Sequence, residues 1–85
     1  MPAVAEDFQR ELDRTFARAR DAGLDHVDIV SGELHSRVGG YPGRDHRMPS
    51  CCQVMRANVT PGDRVLKQSG SGLGASLAIR YRIPR

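Results

Sequence analysis

Nine residues late in this 85-residue chain keep an unbroken alternation. Ala75, Leu77, Ile79, Tyr81 and Ile83 fall in one phase, and Ser76, Ala78, Arg80 and Arg82 in the other. Side chains of a strand point alternately to opposite faces, so this segment is a strand with one apolar face that another layer must cover. Arg64 to Gln68 is the expected partner arm of a hairpin. Ser69-Gly70-Ser71-Gly72-Leu73-Gly74 between the arms reads as a flexible, mostly polar tip.

The cover is expected from the other end of the chain. Ala5 to Ala22 contains no Gly or Pro, and Phe8, Leu12, Phe16 and Ala19 recur at helical spacing as one apolar stripe. Both phenylalanines of the protein lie on it. Glu6 and Asp7 near its start and Arg18 and Arg20 near its end suit the helix dipole, and Gly23 supplies a stop. Residues 1–4 are expected as a tail ahead of this helix.

Between these elements, His26 to Val30 reads as a short strand. Ser31 is a plausible N-cap for a short helix, Gly32 to Val38, with Leu34 and Val38 inward. Gly39-Gly40-Tyr41-Pro42-Gly43 forces a turn. A third helix follows, capped either by Asp45 or by Met48 with Pro49 in first position. Cys51, Cys52, Met55 and Val59 are its inward candidates. Arg47, Ser50, Gln53 and Arg56 form a polar, basic strip, and Thr60-Pro61-Gly62-Asp63 ends the helix in a turn.

Charge divides the chain in two. Residues 1–34 carry eight acids and four arginines, leaving −4, whereas residues 35–85 carry eight arginines and Lys67 against Asp45 and Asp63, leaving +7. The total is only +3. A half this basic points to a polyanionic partner, nucleic acid first among them, although GC-rich coding also raises arginine content. No apolar run approaches the ~20 residues of a membrane-spanning helix. The adjacent Cys51 and Cys52 do not suit a disulfide scaffold, and a reduced, cytoplasmic compartment is expected.

Helix, short strand, helix, sharp turn, helix and hairpin is an order that resembles the winged helix-turn-helix superfamily over roughly residues 5–84. Within it, the Gly39-Gly40-Tyr41-Pro42 and His46-Arg47-Met48-Pro49-Ser50-Cys51-Cys52 stretches are similar to those of small uncharacterised bacterial proteins. The seven-residue link from Gly39 to Asp45 departs from the usual tight turn. The resemblance implies one α+β domain over residues 1–85 that binds double-stranded DNA as a transcription regulator or as a targeting subunit. The third helix would enter the major groove with Arg47, Ser50, Gln53 and Arg56. Arg44 and His46 would touch phosphates, and Lys67 and Gln68 of the wing, with Arg80 and Arg82, would hold the backbone. A protein-interaction module or a homodimer on the same fold is the competing expectation.

Other chemistries find less support. His35, His46, Cys51 and Cys52 are available metal ligands, but adjacent cysteines diverge by about 100° on a helix and no CxxC is present. Cys52 with either histidine lacks an orienting carboxylate, so no catalytic residue is assigned and no enzyme, cofactor or small-molecule substrate is expected. A redox-sensing thiol at the head of the third helix is permitted. The glycine-rich tip lacks the GK[ST] ending of a phosphate-binding loop. Tyr81 is expected in the core, and Tyr41 is expected either to pack against the third helix, the favoured alternative, or to present its hydroxyl to a phosphate.

Overall fold

The computed structural model describes residues 3–43 and 46–85. Helix α1 spans Ala5–Asp21, strand β1 His26–Val30, helix α2 Ser31–Val38, helix α3 Met48–Ala57, and strands β2 and β3 Arg64–Lys67 and Ala78–Arg82. The result is an α+β fold in which three helices cover one side of a three-stranded antiparallel sheet.

α1 forms where the apolar stripe predicts it. Phe8, Leu12, Phe16 and Ala19 are buried. Burying large apolar side chains of this kind contributes about 1.5–3 kcal/mol each relative to exposure. At its start the Asp7 carboxylate accepts the Val4 N–H at 2.9 Å. At its end Gly23 takes φ +75, its N–H bonds the Arg20 carbonyl, and the Leu24 N–H reaches back to the Ala19 carbonyl. That paired pattern satisfies carbonyls the last turn would leave bare. Glu11 is also buried, at the edge of the stripe. Its carboxylate accepts from Arg14 at 3.3 Å and Arg18 at 3.2 Å.

Strand order is β1-β3-β2, so the last strand in sequence is the central one. The register sets Asp28 and Arg64 on either side of Arg80, Ile29 and Val65 on either side of Ile79, and His26 opposite Arg82. Opposed residues share a face. Ile29, Ile79 and Tyr81 therefore point into the core, while Asp28, Arg64, Arg80 and Arg82 stand on the outer face. The register slips between Val65 and Lys67, where Leu66 bulges out of β2. Leu34, Met48, Cys51, Cys52, Met55, Leu77 and Ile83 complete the core. The buried Tyr81 hydroxyl donates to the Met55 carbonyl at 2.7 Å, and its ring meets Phe16 edge-on.

Four local expectations need correction. The regular part of the second arm is Ala78–Arg82 rather than Ala75 to Ile83. Ala75 and Ser76 are in a turn because the Ala75 and Leu77 carbonyls accept from the Gly32 and Ser31 N–H groups of α2 instead of from a strand. Ser31 is not an N-cap: it is the first helical residue after Val30, and its hydroxyl donates to the Gly74 carbonyl at 2.7 Å. Helix α3 begins at Met48 with Arg47 as its cap, so Pro49 is the second residue; Asp45 lies outside the described residues. Val59 falls beyond the last turn of α3 and is 38% exposed.

Candidate nucleic-acid interface

The head of α3 is held in an unusual way. Arg47 donates its backbone N–H to Nε2 of His35 at 2.8 Å, and Met48 donates its N–H to Nδ1 of His46 at 3.2 Å. Two imidazoles therefore satisfy the N–H groups of the cap residue and of the first helical residue, whereas a Ser, Asp or Asn cap side chain takes those of the second or third. His35 is fully buried on α2, with Phe8 edge-on at 4.8 Å and Tyr41 at 5.6 Å. Half-buried Tyr41 lies between α2 and His46, 6.0 Å from the latter ring. A neutral imidazole accepting at Nε2 keeps its proton on Nδ1. In His35 that Nδ1 is buried and has no hydrogen-bond partner among the described residues.

α3 then presents two different sides. Met48, Cys51, Cys52 and Met55 face the core. At 100° per residue, Ser50, Gln53 and Ala57 lie on the opposite side. Gln53 and Ala57 are exposed and Ser50 is half-buried. With exposed Arg47 and His46, Ser50 and Gln53 form one accessible group at and behind the helix head.

Arg56 does not belong to that group. Its Nε and a terminal nitrogen donate to the Gly72 carbonyl at 3.2 and 3.0 Å, and the same terminal nitrogen donates to Gln68 Oε1 at 2.6 Å. Arg56 and Gln68, both expected at DNA, are thus engaged with each other and with the β2–β3 connection.

That connection is folded onto the helices. The Gly74 carbonyl accepts from the Ser31 hydroxyl at 2.7 Å and from the Cys52 thiol at 3.3 Å. Inside it, the Gly72 N–H bonds the Ser69 carbonyl, and the Ser69 hydroxyl accepts the Gly74 N–H. The polar composition of this segment gave no sign of such anchoring.

The outer face of the sheet carries Arg64, Lys67, Arg80 and Arg82. Arg80 pairs with both oxygens of Asp28, at 2.8 and 3.0 Å, and those hydrogen bonds hold the Asp28 carboxyl below its ordinary value against the opposing effect of burial. Arg64 stands directly opposite Arg80, an arrangement of like charges that is unfavourable across a strand pair. Its alignment depends on register, so the sequence did not single it out. Among the described residues, the side chains of Arg47, Arg64, Lys67 and Arg82 have no carboxylate within salt-bridge distance. Arg44 lies outside the described residues.

The two thiols are poor nucleophiles here. Burial pushes Cys51 up to about 12, and burial also raises Cys52. Cys51 donates to the Ser31 carbonyl at 3.6 Å. Among the described residues no group of three or more His, Cys, Asp or Glu side chains is arranged to hold a metal ion, and no helix is long and apolar enough to cross a membrane.

The molecule is thus a three-helix α+β domain with a single antiparallel sheet, a third helix anchored at both ends, and a basic outer sheet face. Comparison with protein-family models, with curated proteins and with solved structures returned no match.

Proposed function

We propose that this chain is a winged helix-turn-helix domain that binds double-stranded DNA, acting as a transcription regulator or as the targeting subunit of a larger assembly. The observation that carries this reading is that Arg47 at the head of α3, and Arg64, Lys67 and Arg82 on the sheet, have no acidic partner among the described residues. The element order, with α3 followed by β2 and β3, supports the winged-helix assignment. In this reading Arg47, Ser50 and Gln53 face base edges, and the sheet cations hold phosphates.

Fluorescence anisotropy with a labelled random duplex tests the proposal. Affinity is expected to fall with salt by ~0.9 log units per log of salt for each phosphate neutralised. Absence of binding at tens of micromolar protein in low salt would refute it.

A second reading, a protein-interaction module, draws on the edge strand β2. All four of its residues are exposed, and Val65, Leu66 and nearby Val59 leave apolar surface bare. Concentration-dependent association in sedimentation, lost in Leu66→Lys but kept in Arg47→Glu, would favour it.

A further inference from the structure

We infer that Arg56 is a positioning residue, which locks the β2–β3 connection onto α3 so that helix and connection meet DNA as one preformed surface. The inference rests on the DNA-binding reading for its consequence, but the lock itself is geometric.

Arg56 uses its fork to grip two points of one loop. The Gly72 carbonyl takes two of its N–H groups, and Gln68, just after β2, takes a third contact. One turn earlier on the same helix, Cys52 bonds the Gly74 carbonyl, which Ser31 at the start of α2 also bonds. Residues four apart lie side by side on a helix, so Cys52 and Arg56 form a single docking edge. Gly72 is fitted to this edge. It adopts φ +74, and a Cβ placed there would come within 2.9 Å of the Arg56 guanidinium.

A guanidinium already bonded to a carbonyl and an amide oxygen has few donors left for a guanine edge. Its part in binding is to fix where Lys67 and the loop backbone lie relative to Gln53. Preorganisation of this kind lowers the ordering cost of binding.

Arg56→Lys keeps the charge and loses the fork, whereas Gly72→Ala keeps Arg56 whole and displaces its target. Amide hydrogen exchange of Gly72 and Gly74 reads the lock without DNA. Both variants, and Arg56→Ala, are expected to lose protection there by at least about tenfold while the Leu12 and Ile79 amides stay protected. Duplex affinity is expected to drop about tenfold in each, since charge-assisted hydrogen bonds fix the loop. Lys67→Ala should weaken wild-type binding yet have little further effect in the Arg56→Ala background.

Unchanged Gly72 and Gly74 exchange in both Arg56 variants would overturn the lock. Full affinity in Arg56→Lys, or independent effects of Arg56→Ala and Lys67→Ala, would overturn positioning in favour of a direct phosphate contact. Failure of the wild-type protein to bind duplex would instead remove the DNA reading and the proposed consequence, and the exchange data would still decide whether the lock exists.

Discussion

The arginines of α1 and those of the second half of the chain are placed by different rules. On α1, Arg10 pairs with Asp7, Arg14 and Arg18 share Glu11, and Arg20 lies 3.8 Å from Asp21. Their charge is cancelled locally. In the second half, Arg47, Arg64, Lys67 and Arg82 have no such neighbour among the described residues, and Arg64 faces another arginine. Two cations there are exceptions, Arg80, which pairs with Asp28, and Arg85. The Arg85 side chain is mostly buried, lies over the Phe16 and Tyr81 rings at 4.9 and 5.2 Å, and bonds Asp63 at 2.9 Å. Counting arginines therefore says little about a partner; their acids decide which are available.

The contrast is broken most sharply by charge reversal. Arg47→Glu with Lys67→Glu is expected to reduce duplex affinity at least about hundredfold and to flatten the salt slope by roughly two phosphate contacts. Arg10→Glu with Arg20→Glu, matched in charge but drawn from the paired set, is expected to change affinity far less. Equal losses in anisotropy titrations would show that only net charge matters.

The Arg85 pair gives the next effect. Burial alone would raise the Asp63 carboxyl, but bonds from Arg85, the Arg82 and Thr60 N–H groups and the Thr60 hydroxyl bring it down to about 2. A depressed acid stabilises the fold above its unfolded value, and that contribution is lost as pH falls from about 4 through about 2. Asp63→Asn is expected to lower stability by about 2 kcal/mol at neutral pH and to remove that acid-range slope in urea unfolding. A variant as pH-dependent as wild type between those values would break the assignment.

Within the paired set, Glu11→Gln should cost about 1 kcal/mol, because the buried carboxylate loses two charge-assisted partners at the edge of the core. Asp28→Asn, at an exposed pair, is expected to leave the urea midpoint nearly unchanged, since solvent screens that contact. A larger shift at Asp28 than at Glu11 would reverse this ranking.

Periodicity located α1 and β3, and cap residues with Gly and Pro breaks located the other elements, to within a few residues, because all of these are local properties of the chain. The burial phase of Leu77, Ile79, Tyr81 and Ile83 was legible for the same reason. What local pattern could not supply was the partner of each polar group. Arg56 and Gln53 look alike on a helix strip, and only the fold of the Ser-Gly segment separates them. His35 adjoins the inward Leu34, a weak sign of burial, but its bond to Arg47 spans a link whose path has no period. The DNA-contact reading of Arg47, Ser50 and Gln53 keeps them accessible together; that of Arg80 meets Asp28 first.

The strand order carries a consequence for how this molecule assembles. Both pairings of the sheet depend on β3, which follows the other five elements in sequence, and β1 must wait across the whole of α2, α3 and β2 to meet it. Closing so long a loop is entropically unfavourable until many contacts form together, so the sheet pairings are expected to set the pace of folding.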